Sequence, residues 1–111
     1  MSNLASSIRL KFDTELSRQA TLFDGTPQLI GTLTNNPVLL LIKNQTNQII
    51  FISDENSSTK GTTMAIGEEM VLDCVANKGQ ANTRNWPIGT EWYVTAPVGT
   101  GYVKISVIYA Q

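Results

Sequence analysis

The sequence predicts an all-β protein: a single antiparallel β-sandwich or jelly-roll-like domain of about eight short strands. Three observations carry that expectation. Apolar residues nowhere keep a helical spacing over three turns. Short runs rich in Val, Ile, Thr, Tyr and Trp are separated by Gly, Pro, Asn and Asp turn signals about every ten residues. Near the end the chain repeats itself, PIGTEWYVTA at 87–96 and PVGTGYVKIS at 97–106. Each copy opens with a Pro-[Ile/Val]-Gly-Thr turn and runs into a strand, since Pro presets φ and Gly permits positive φ. Two copies are too few for a solenoid, so the pair reads as successive turns at one end of a sandwich.

Taken in order, Ile8, Leu10 and Phe12 alternate with Arg9, Lys11 and Asp13, a period-two strand with its apolar face inward. Residues 14–26 admit one helical turn before Asp24-Gly25-Thr26-Pro27 closes the segment. Gln28 to Leu33 reads as a weak strand, with Gly31 marking a bulge or a close backbone approach. After Asn35-Asn36-Pro37 the apolar run from Val38 reads as a buried strand. Gln48 to Ser53 is its expected hairpin partner across Asn44-Gln45-Thr46-Asn47. That pair is expected at the centre of the core, with Leu40 and Phe51 both buried. Residues 54–62 form a polar loop, and Met64–Ile66 and Met70–Val75 are strands about Gly67-Glu68-Glu69. A second polar loop, 77–85, leads to strands at 91–96 and 101–109. Residues 1–7 (MSNLASS) are a possible flexible arm, leaving 8–111 as the domain.

At 111 residues the chain is one domain by size. Hydrophobic residues make up 41% and charged residues 15%, a balance that argues against disorder. The net charge of −1 and the absence of a basic run argue against a nucleic-acid partner. The longest apolar run, Val38–Ile42, is too short to span a bilayer. No basic-then-apolar leader opens the sequence, so synthesis in the cytoplasm without a secretory signal is expected.

Chemistry has few footholds. There is no histidine, which removes the commonest general base and metal ligand. The single cysteine, Cys74, cannot form an intrachain disulfide and reads as a small buried apolar side chain. The DENSSTKG loop lacks the acidic spacing of a calcium site, and no pair of carboxylates is marked out for glycoside hydrolysis. No catalytic, metal or cofactor-binding residue is assigned, and the chain is not expected to be an enzyme. The aromatic residues Trp86, Trp92, Tyr102 and Tyr109 are the candidate interface residues, with core and ligand-binding roles as the alternatives. Trp92 and Tyr93 must point to opposite faces of one strand.

From Ile42 onward the order of segments is more specific. IKNQTNQIIFISDEN, MVLDCVANKG, PIGTEWYV and VGTGYVKISVIYA together resemble small virion structural proteins of tailed bacteriophages. The matching positions include Asn44, Thr46, Ile50, Ile52, Ser53, Asp54, Leu72, Asp73, Asn77, Lys78, Gly89, Thr90, Tyr93, Val94, Val103, Ser106, Ile108, Tyr109 and Ala110. Glu55 departs from the pattern, where a Gly would make a tighter turn after Asp54. The resemblance implies a decoration, cement or neck/collar component without a cofactor, resident in the virion. Its implied partners are the major capsid protein or neck and tail proteins, together with further copies of itself. A carbohydrate- or receptor-binding β-sandwich, with its site at Trp86 or Trp92 and the 77–85 loop, is the rival expectation. On the virion reading the terminal strand is expected to offer an exposed edge for pairing with a neighbouring chain.

Overall fold

The computed structural model describes residues 9–75 and 85–111. The possible arm at 1–7 and nearly all of the 77–85 loop lie outside the described residues. Nine strands are present among the described residues: β1 (Leu10–Phe12), β2 (Leu16–Gln19), β3 (Gln28–Thr32), β4 (Pro37–Thr46), β5 (Ile50–Ser53), β6 (Thr62–Met64), β7 (Glu69–Asp73), β8 (Glu91–Thr95) and β9 (Gly101–Ala110). They form two antiparallel sheets. A five-stranded sheet runs β1-β9-β4-β7, with β2 also pairing with β9, and a four-stranded sheet runs β3-β8-β5-β6. The molecule is a β-sandwich, as expected.

The inner faces follow from strict alternation. Along β4 the inward side chains are Leu40, Ile42, Asn44 and Thr46, and along β9 they are Val103, Ile105 and Val107; Pro37 and Ser106 are buried as well, Ser106 beneath Glu15. The opposite sheet contributes Ile30, Ile50, Ile52, Met64, Trp92 and Val94. Leu16, Met70, Leu72 and Trp86 close the margins of this core. Because side chains alternate across a strand, each inward apolar residue leaves an outward neighbour whose character is free to serve another purpose.

Several expectations need correcting. The strands at 38–43 and 49–53 are not a hairpin: β4 pairs with β7 and β9, and β5 pairs with β6 and β8. The NQTNQ bend carries the chain from one sheet to the other, because both strands bury a face and burial is completed by facing sheets. Phe51 consequently lies on the outer face and is only half-buried, while Leu40 is fully buried. Leu40→Ala is expected to cost about 3 kcal/mol and Phe51→Ala about 1 kcal/mol. Urea unfolding of both variants checks this, and equal losses would contradict the sheet assignment.

Residues 14–26 hold a strand that periodicity did not reveal, β2, followed by one 3-10 turn at Ala20–Leu22. Gly31 behaves as expected on both counts. The β3–β8 register shifts between Leu29 and Gly31, and a Cβ at Gly31 would lie 2.8 Å from Leu16 Cδ2. The strand expected at Met64–Ile66 lies two residues earlier, at Thr62–Met64, and Ala65–Glu68 closes as a turn with Glu68 N donating to Ala65 O.

The tandem turns are not at one end. Gly89 N donates to Leu33 O and Ile88 N to Asn36 Oδ1, beside the β3–β4 connection. Gly99 N donates to Ala20 O and Thr100 N to Asn47 Oδ1, beside the β4–β5 bend. β8 separates them, so the two turns cap opposite ends of one strand. The glycines also differ in purpose. Gly89 sits at φ 93°, the left-handed region, whereas Gly99 is where a Cβ would press on Asn47 Oδ1 and Gln48 Cγ.

The terminal strand is not an open edge. β9 pairs with β1 and β2 on one side and with β4 along nine positions on the other. It is the spine of its sheet, and the pairing role expected of it is already filled within the chain.

Candidate functional site

The four aromatic candidates occupy three separate places. Trp92 is 3% exposed and belongs to the core, so it is not an interface residue. Tyr102 is exposed on the outer face of β9, with Lys104 Nζ 5.7 Å from its ring centroid. Tyr109 is half-buried at the far end of the same strand, about 24 Å away by strand rise. Odd and even positions point to opposite faces, so these two tyrosines share no patch. Trp86 stands beside Trp92, ring centroids 5.9 Å apart and planes tilted by 42°.

Trp86 has the most unusual backbone among the described residues. Its φ is 55°, the sole positive value outside glycine there, and a bulky residue in that region is costly. Its indole Nε1 donates to Asp54 Oδ2 at 3.0 Å, which fixes the ring between two depressions. One is an apolar groove of about 340 Å³ lined by Ile52, Met70, Leu72 and Trp92 together with Ser53, Asp54 and Lys60. The other, about 490 Å³, is walled by Asp54, Glu55, Asn56, Thr90, Glu91 and Tyr93. The Tyr93 hydroxyl donates to Glu91 Oε1 at 3.4 Å, and burial, first of all, raises its pKa, with the nearby Glu91 charge adding to the shift. Trp92 Nε1 has no hydrogen-bond partner among the described residues.

A second feature lies on the outer face of the five-stranded sheet. Cross-strand register puts Phe12, Ile108 and Leu39 in one row, which ends at the exposed Asp73 of β7, and Leu41 and Val71 in the next beside Ser106, with Leu10 flanking them on β1. Phe12 is 72% exposed, Val71 63% and Leu10 58%. Strands about 4.8 Å apart and alternate residues about 7 Å apart make these side chains one continuous apolar patch. The neighbouring row is charged: Lys104, Lys43 and Glu69. Glu15 covers Ser106 on the β2 side, accepting its hydroxyl at 3.2 Å. Adjacent to the patch, Asp13 accepts from Asn35 Nδ2, Thr34 Oγ1 and Thr14 N. The Asn35 bond, followed by the others, holds its carboxyl below the usual carboxylate range.

Leu10 and Phe12 were expected inward and point outward. The available signal was the unbroken run Val38–Ile42: a strand apolar on both faces must bury one of them elsewhere or expose it. Cys74 is buried, in keeping with the small apolar role expected of it.

Among the described residues no group of three or more His, Cys, Asp or Glu side chains is placed to hold a metal ion, and no helix is long and apolar enough to cross a membrane. Comparison with protein-family models, curated proteins and solved structures finds no match to this chain.

Proposed function

We propose that this chain is a structural component of a tailed-bacteriophage particle, a capsid decoration/cement or neck/collar protein. It adheres to another virion protein through the outer face of its five-stranded sheet. The observation that carries this reading is the apolar patch of Leu10, Phe12, Leu39, Leu41, Val71 and Ile108. Large apolar side chains exposed singly are ordinary, but a contiguous group on an open sheet face marks an interaction surface. The charged row beside it supplies orientation, as polar rims do around apolar interface centres. The ordered segment resemblance from Ile42 onward supports the particle assignment, and the absence of histidine supports a mechanical role over a catalytic one. Further copies of the chain meet around the particle, as symmetric assemblies require.

Mass spectrometry of purified virions from the source tests the assignment. Abundant copies scaling with the capsid subunits indicate decoration, a single ring's worth indicates the neck, and none at all sinks the proposal. The surface is tested by Phe12→Ser combined with Val71→Ser. Both side chains are exposed, so stability should change by no more than about 0.5 kcal/mol per site. The variant is expected to remain folded and to fail to bind particles lacking the wild-type protein; retained binding would clear this face of the role.

A further inference from the structure

We infer that Trp86 is the platform of a carbohydrate site, bound by a neutral oligosaccharide that lies across the indole and into both depressions beside it. This site is independent of the sheet face proposed above for particle contacts.

A pyranose ring is amphipathic: its C–H face is apolar and its rim carries hydroxyls. The surroundings of Trp86 divide the same way. The indole and the apolar groove offer a surface for stacking, and the neighbouring depression presents carboxylates, an amide and a phenol as hydrogen-bond partners. The combined space falls within the range of small-ligand sites. Trp86 is already oriented, since Asp54 holds its Nε1 and Trp92 supports its ring. A preset platform loses little freedom when a ligand arrives.

Two further points select a sugar over other ligands. Trp92, only 3% exposed, lines the apolar groove, and its Nε1 has no partner among the described residues. Buried indole N–H groups ordinarily find an acceptor, and a ligand hydroxyl supplies one. A purely aliphatic ligand would leave that donor unmet and would also strip water from Asn56, Glu91 and Tyr93. A polyanionic ligand would face Asp54, Glu55 and Glu91. A neutral, hydroxyl-rich ring meets all these requirements.

The test is a broad glycan array probed with the full-length chain, followed by fluorescence titration with the oligosaccharides that register. The chain has two tryptophans, both at this site, so their emission reports occupancy directly. Saturable binding of at least one neutral oligosaccharide is expected, weakened about tenfold or more by Trp86→Ala. Should that variant misfold, Asn56→Ala serves instead: Asn56 is exposed, and its loss is expected to weaken binding several-fold. The Phe12→Ser/Val71→Ser protein is expected to bind sugar like the wild type, which separates the two proposals. A blank array, binding restricted to acidic glycans, or affinity unchanged in both site variants would overturn the inference.

Discussion

Deleting residues 103–111 is expected to leave a chain that does not fold. The segment removes nearly all of β9, which three other strands use as their hydrogen-bonding partner. It also takes away Val103, Ile105 and Val107, all buried at the centre of the five-stranded sheet. An edge strand can be lost with its sheet intact, but removing a central strand leaves β1 and β2 without a partner and opens the flank of β4. The loss of backbone bonds and apolar burial exceeds the net stability of a domain this size. Circular dichroism and proton NMR check the outcome. A dispersed spectrum with a cooperative transition from the truncated chain would show that β9 is dispensable.

The second large effect is expected at Asn44, which is 1% exposed. Its Nδ2 donates to Gln48 O and Ala65 O, both at 2.9 Å, and its Oδ1 accepts from Thr46 N at 3.1 Å and Thr46 Oγ1 at 2.6 Å. Its backbone N donates to Glu68 O and its carbonyl accepts from Gly67 N. One side chain therefore fastens β4 to its own bend toward β5 and to the turn between β6 and β7. Those are two of the places where the chain crosses between sheets. Asn44→Ala removes the side-chain partners while leaving buried carbonyls and an amide behind, at an expected cost of about 4 kcal/mol. Chemical denaturation measures it, and a loss below about 1 kcal/mol would mean that water replaces the amide at little cost. The Asn44-x-Thr46 pattern within the segment resemblance thus has a structural account in this molecule. It staples a bend.

The strands themselves were largely legible. Alternation in β9, the turns at Pro87 and Pro97, and the bulge at Gly31 depend on neighbours in sequence, and local chemistry decides them. Periodicity does not reveal β2, because Leu16 and Arg18 point inward while Ser17 and Gln19 point out, so only one of four residues marks the buried face as apolar. The candidate sites were less legible. Composition marks Trp86 as an aromatic residue worth weighing, but its left-handed backbone and its bond to Asp54, 32 residues away, are not written in its neighbours. The outward face of β1 is not legible either. Period-two alternation shows that Leu10 and Phe12 share a face, and nothing local shows which face the opposite sheet covers.

The sequence by itself determined an all-β domain of short strands, the position of most of its turns, and the burial of Cys74. Those properties rest on φ preferences, side-chain branching and alternation, all of which act over a few residues. The tertiary structure alone decided that β4 and β5 belong to different sheets, that the last strand is a spine, and that the two like turns cap opposite ends of β8. It also decided which faces of β1 and β4 meet solvent. The reason is that strand pairing and sheet stacking join residues far apart in the chain, and several pairings satisfy the same local pattern. The choice among them is made by burying both inner faces at once.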